Sequence, residues 1–321
     1  MFQTRITKLL NIKYPIIQGG LAYLAYADLA AAVSNAGGLG QVTAMSLPSP
    51  ESLRNEIRKV KQLTNQPFGV NFAIGQHGRK FDHMVTVAID EQVPVVSVTG
   101  GNPAGVIDML KDHPIKILVL VASARQALKA QELGADAVMV VGQEGGGHLG
   151  RSDTGTIVLT PHVVDQLEIP VISSGGIVDG RGLMAALSLG AEGIEMGTRF
   201  IATKEVQTHM NYKQAILSAD EGDTVVIKRS LGTPARALRN AFTDKILSLE
   251  EKYGNDYEQL KAYISGEVNQ KYIQSGEDSL GFGWAGQAVS RIHQIFSVKE
   301  LMDSIMNEAE QIREKWSQKE V

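Results

Sequence analysis

Eight short apolar, β-branched runs recur between the N-terminus and about residue 200, separated by segments with helical spacing, and this alternation leaves the chain very few folds. The runs are Tyr14 to Gln18 (YPIIQ), Leu39 to Val42 (LGQV), Phe68 to Phe72 (FGVNF), Pro94 to Val98 (PVVSV), Ile115 to Leu120 (IKILVL), Ala137 to Val141 (AVMVV), Pro170 to Ser174 (PVISS) and Gly193 to Met196 (GIEM). Between them lie ADLAAAVSNAG, SPESLRNEIRKVKQLT, SARQALKAQELGA and GRGLMAALSLGA. The last two end around a glycine, as helix C-termini often do. Strands without apolar–polar alternation suit a parallel sheet covered on both faces. Eight such β-to-α units predict an α/β protein whose sheet closes into a TIM (β/α)8 barrel, ahead of an open doubly wound sheet.

Beyond about residue 210 the sequence becomes charged and helix-rich, through RALRNAFTDKILSLEEKYGNDYEQLKAYISGEVNQKYIQ, with no further strand runs. This predicts a smaller helical domain over 216–299 on the substrate side of a barrel spanning 1–215. Val298 to Trp316 reads as an amphipathic helix, so that 300–321 returns to complete the barrel.

The chain has 321 residues, with a net charge of −4 and scattered Lys and Arg, so it carries no basic footprint for nucleic acid. Small molecules are the expected partners, and a homodimer is left open. The absence of cysteine removes thiolate nucleophiles, disulfides and Cys-ligated metals. His77, His83, His113, His162, His209 and His293 show no HxH or HExxH spacing, so no metal site is expected. No apolar run reaches the roughly 20 residues that span a bilayer, and the N-terminus has no basic segment followed by an apolar core. A cytoplasmic protein without a membrane partner is expected.

In such barrels the site is built from the loops that follow the strands, often with a phosphate held after strands seven and eight. There the sequence reads SSGGIVDGRG and EMGTRF, placing Ser174, Gly175, Gly176, Gly197 and Thr198 where close backbone N–H donors are needed. No GKS or GKT follows, and there is no dinucleotide fingerprint, so a mononucleotide phosphate fits best. Gln18, Gly19 and Gly20 follow the first strand and Asn71 lies at the third. EGGGHLG, with Gly146, Gly147 and His148, follows the sixth. Glycines that let a backbone approach, with amides at the edge, suit a flat ring system. A neutral imidazole at His148 could exchange a proton or hydrogen bond beside it.

PIIQGG, NAGGLG, PFGVN, GADAV, the EGGGH segment, PVISSGGIVDGRG and LGAEGIEMGTRF together resemble the nitronate monooxygenase (2-nitropropane dioxygenase) family and the related flavin enoyl-ACP reductases and NADH:quinone reductases, in order along nearly the whole chain. The resemblance implies an FMN-binding barrel and an oxidoreductase. It places the QGG turn and Asn71 at the isoalloxazine and ribityl region, the Gly175–Gly176 and Gly197–Thr198 pairs at the phosphate, and His148 as the active-site histidine. The leading expectation is oxidation of alkyl nitronates by O2 to a carbonyl compound and nitrite. The alternative is an NAD(P)H:quinone or enoyl-ACP reductase, and a non-catalytic flavin scaffold is disfavoured by the position of His148. Leu120 and Val141 are apolar where related enzymes can carry polar or acidic residues. The polar segment Ala73 to Met84 is a candidate lid or nucleotide contact through Arg79 or Lys80, or a plain solvated connection.

Overall fold

The computed structural model describes residues 2–75 and 80–318. Gln76 to Arg79, the centre of the candidate lid segment, lie outside the described residues. Eleven strands are present among the described residues. β1 is Ile16–Gln18, β2 Gly40–Thr43, β3 Phe68–Ala73, β4 Val95–Thr99, β5 Lys116–Val121, β6 Ala137–Val141, β7 Gly147–His148, β8 Val171–Ser174, β9 Gly193–Met196, β10 Thr224–Ile227 and β11 Ala235–Leu238.

Eight of them form a parallel sheet in the order β1-β9-β8-β6-β5-β4-β3-β2. The two ends meet where Ile17 bridges Leu39, with the Gln18 N–H donating to the Leu39 carbonyl at 2.9 Å, so the sheet is a barrel. Burial on both faces explains why these strands read as unbroken apolar runs. Ile17, Leu39, Val95, Leu118, Ala137, Met139 and Ile172 fill the interior, and Ile6, Leu10 and Ile12 close it from below.

The barrel's outer ring includes the helix Val298–Ser317, which lies on the helix Gly180–Ser188. The two approach so closely that a Cβ at Gly180 would stand 2.6 Å from Ala309 N. Asp179 caps the shorter helix through Gly182 N–H, while Glu308 accepts from Gly180 N–H at 2.8 Å. The C-terminal helix thus returns to the barrel wall.

The segment after residue 210 is not purely helical. β10 and β11 form an antiparallel pair, and β7, from the loop after β6, adds to the other edge of β11 with His148 opposite Ala235 and Gly147 opposite Arg236. The expectation of helices alone is corrected at these eight residues of β10 and β11. ARAL carries good helix formers, but its backbone donors and acceptors are taken by strands on both sides, and tertiary pairing outweighs that local preference. Helices Ala241–Tyr253, Tyr257–Ile264 and Gly266–Ser275 follow, with Ile246, Val268 and Phe282 packing beneath this small sheet. Among the described residues no helix is long and apolar enough to cross a membrane.

Candidate active site

Strand alternation decides which side chains look into the barrel mouth. Val95, Leu118, Met139 and Ile172 lie inside, so Ser97, Leu120, Val141 and Ser174, two residues further along, form the next inward layer. By the same alternation Gln41 follows Leu39, Asn71 sits between the outward Val70 and Phe72, and Glu195 sits between the outward Ile194 and Met196. The mouth is therefore polar around β8, β9 and β2 to β4, and apolar at β5 and β6. The apolar Leu120 and Val141 foreseen from the sequence make up that second half.

Two acceptors in this layer have no donor. Gln41 Oε1 and Asn71 Oδ1 are buried without a hydrogen-bond partner, although Asn71 Nδ2 donates to Ser97 Oγ at 2.9 Å. A buried acceptor without a donor costs about 1–3 kcal/mol, so a ligand donor is the natural complement. Gly20 lies against Asn71, where a Cβ would come within 2.3 Å of Oδ1. Gln18 Oε1 accepts from Gln41 N–H at 2.8 Å and its Nε2 donates to the Gly19 carbonyl, so the buried amide ties β1 to β2 and to the QGG turn.

After β8, Gly175 and Gly176 turn with φ of 95° and 74°, a left-handed pair that side-chain-bearing residues adopt only with strain. The N–H groups of Gly175, Gly176 and Gly197 donate to no protein acceptor among the described residues. Gly19 N–H donates to the Met196 carbonyl at 2.9 Å, drawing the QGG turn beside Gly197. The loop 284–287 ties the other pieces together. Gly286 N–H donates to Thr198 Oγ1 at 2.9 Å, and Gln287 N–H donates to the Glu144 carbonyl at 2.9 Å. The close approach implied by the glycine triplet is made by this loop: a Cβ at Gly146 would meet Gly286 N at 2.6 Å and Ala285 C at 2.7 Å. Glu144 accepts from the Thr156 N–H and hydroxyl, capping the next helix beside Gly176.

His148 is delivered by β7 and held by backbone pairing, independent of its side chain. Its Nε2 lies 2.9 Å from Lys228 Nζ, and its ring centroid is 5.8 Å from that of Trp284. His148 is exposed at the mouth, with Lys228 and Trp284 against its ring. Lost solvation first, and the Lys228 charge second, push its pKa down to about 4, so the imidazole is neutral over the physiological range. Burial lowers Lys228 to about 8.

Glu195, Gln41, Lys228 and Trp284 did not emerge from the sequence. For the first two a signal existed, a polar residue inside an apolar strand run. Glu195 is 6% exposed, and burial raises its pKa to about 7 against a weaker opposing hydrogen bond from Ser174. The folded protein therefore holds this proton more tightly than the unfolded chain. Stability from Glu195 is fully present below about pH 4.5 and declines as pH rises to about 7, by on the order of 3 kcal/mol. Glu195→Gln should flatten that decline, which denaturation midpoints measured from about pH 5 to 8 would detect. Equal pH slopes in the two proteins would contradict the assignment.

A hollow of about 390 Å³ on the flank, beside Gly180–Ser188 and the C-terminal helix, is lined by Asp179, Arg181, Arg291 and Glu308. Its charges pair with one another, Arg291 with Asp179 and Arg181 with Glu308.

The sequence profile of the nitronate monooxygenase family matches residues 3–79 and 72–308. A probable nitronate monooxygenase of Staphylococcus saprophyticus is 34% identical, with 96% of this chain and 98% of that protein covered. The chain belongs to the nitronate monooxygenase family. It is accordingly an oxidoreductase. Among solved structures it is similar to FabK from Thermotoga maritima, at 39% identity and TM-score 0.92 over 99% of each chain. It is also similar to the nitroalkane oxidase of Streptomyces ansochromogenes, at 26% identity and TM-score 0.84, covering 98% of this chain and 100% of the other. Within the family fold, His148 and the two glycine turns of this chain share one barrel mouth.

Proposed function

We propose that this family member is an FMN-dependent nitronate monooxygenase, oxidising alkyl nitronates with O2 to a carbonyl compound and nitrite. The observation that carries the reading is a neutral His148 held by β7 at the mouth on which the unpaired acceptors of Gln41 and Asn71 open. The residues present suit FMN. A flavin ring edge bears an N–H for those acceptors, and the N–H groups of Gly175, Gly176 and Gly197 suit its phosphate. Thr198 adds a hydroxyl at the same turn.

FMN supplies, when bound, a ring able to take two electrons from substrate and pass them to O2. The chain supplies position and protons. Leu120 and Val141 offer an apolar wall, and the strand-end turns bring backbone donors close. His148 Nε2 accepts from the Lys228 ammonium, which leaves the imidazole proton on Nδ1 as a donor to substrate. The carboxyl of Glu195 can hold a proton at neutral pH on the inner wall.

The test is aerobic turnover of an alkyl nitronate with nitrite and O2 followed together, on protein whose released chromophore is identified. FMN with nitrite formation is expected. FAD, or a colourless protein that FMN does not reconstitute, would contradict the cofactor reading. Flavin reduction by NAD(P)H but not by nitronate would move the chain to the reductase alternative.

A further inference from the structure

We infer that Lys228 and His148 form a receptor for a small planar oxyanion, two oxygens on one atom, with the Lys228 ammonium as its electrostatic anchor. The inference deepens the proposed reaction, since a nitronate substrate and a nitrite product share that chemistry, and it rests on that reading for their identity.

Lys228 is 8% exposed, and an ammonium carries three donors. One donates to His148 Nε2 at 2.9 Å, and the Nζ lies 5.8 Å from the Trp284 ring centroid. No carboxylate forms an ion pair with it among the described residues. The acid that could have done so is committed elsewhere. Glu250 accepts the Lys228 backbone N–H at 2.8 Å through Oε2, and the Ser230 N–H and hydroxyl at 3.1 and 2.7 Å through Oε1. A buried charge without a partner is costly, so proteins pair it or present it to a ligand.

The backbone points the same way. Lys228 has φ of 64°, a left-handed conformation unusual for a residue with a side chain, and the Glu250 clamp fixes the turn that contains it. Lys228 directly follows Ile227, which pairs with Ala235, which in turn pairs with His148. The three-stranded sheet therefore fixes the lysine and the histidine side by side at the mouth. Arg236, the next buried cation on this sheet, spends donors on the Gln143 carbonyl and Thr224 Oγ1. Lys228 is the cation of this sheet that touches His148 and still has donors to offer.

The experiment is calorimetric titration of the resting holoprotein with sodium nitrite, and with neutral nitromethane as a probe of similar shape. Lys228→Met should weaken nitrite binding at least tenfold, Lys228→Arg should stay within a few-fold of the parent, and nitromethane binding should be equal in all three. Circular dichroism and bound chromophore confirm the fold of each variant. If Lys228→Met does not fold, Lys228→Gln takes its place. Equal nitrite affinity in the parent and the uncharged variant, or equal loss of nitrite and nitromethane, would overturn the assignment. Because binding is read without turnover, nitrite affinity dependent on Lys228 in a protein that fails to oxidise nitronates would overturn the proposed reaction alone.

Discussion

His148→Ala is expected to retain FMN and to slow anaerobic reduction of the flavin by nitronate by about 100-fold, the usual scale for losing a proton-handling group. Cofactor retention follows from the geometry. β7 is held to β11 through backbone bonds, and the proposed phosphate donors sit after β8 and β9, so truncating the imidazole leaves both in place. The pH profile adds a second readout. A histidine lowered to about 4 is already neutral at pH 6, so activity that needs its neutral form stays level through neutral pH and falls only as pH drops through about 4. Loss of FMN in His148→Ala with normal reduction of the remaining holoprotein would reduce the residue to a loop support.

Gly176→Asp should abolish FMN retention, with an affinity loss of at least about 100-fold, because a carboxylate would stand at the phosphate donors. Gly176→Asn is the matching control. Asn and Asp both tolerate the left-handed backbone at φ 74°, and both meet Glu144 Cβ, which would lie 3.1 Å from the new Cβ. Steric strain is then common to the two variants, and charge alone separates them. FMN affinity in the reconstituted proteins should fall far more for Asp than for Asn. Similar affinities would place the phosphate elsewhere.

The barrel was legible because each of its strands is buried on both faces and reads as an apolar run. The expected runs match the eight parallel strands to within a residue or two. The missed strands have separate causes: β10, TVVI at Thr224–Ile227, is a β-branched run set in charged sequence and was passed over. β7 is only Gly147–His148, too short for any periodicity, and ARAL at β11 is a strand only because β7 and β10 pair with it. Missing that sheet meant missing Lys228, whose place beside His148 depends on pairing across 80 residues. Gln41 and Glu195 were visible as polar interruptions of apolar runs, but only the inward direction of their side chains gives them meaning. Gln18 adds a structural role that the motif did not show: its Oε1 accepts from Gln41 of the neighbouring strand and its Nε2 donates to the Gly19 carbonyl of its own turn.

The proposed reaction passes electrons from a nitronate to a flavin bound at this mouth. The most direct measurement is a single anaerobic mixing of the purified yellow protein with an alkyl nitronate while the visible flavin absorbance is followed. Bleaching on mixing, colour restored by O2 and nitrite released are the predicted results. A flavin that stays oxidised in the presence of nitronate would contradict the claim.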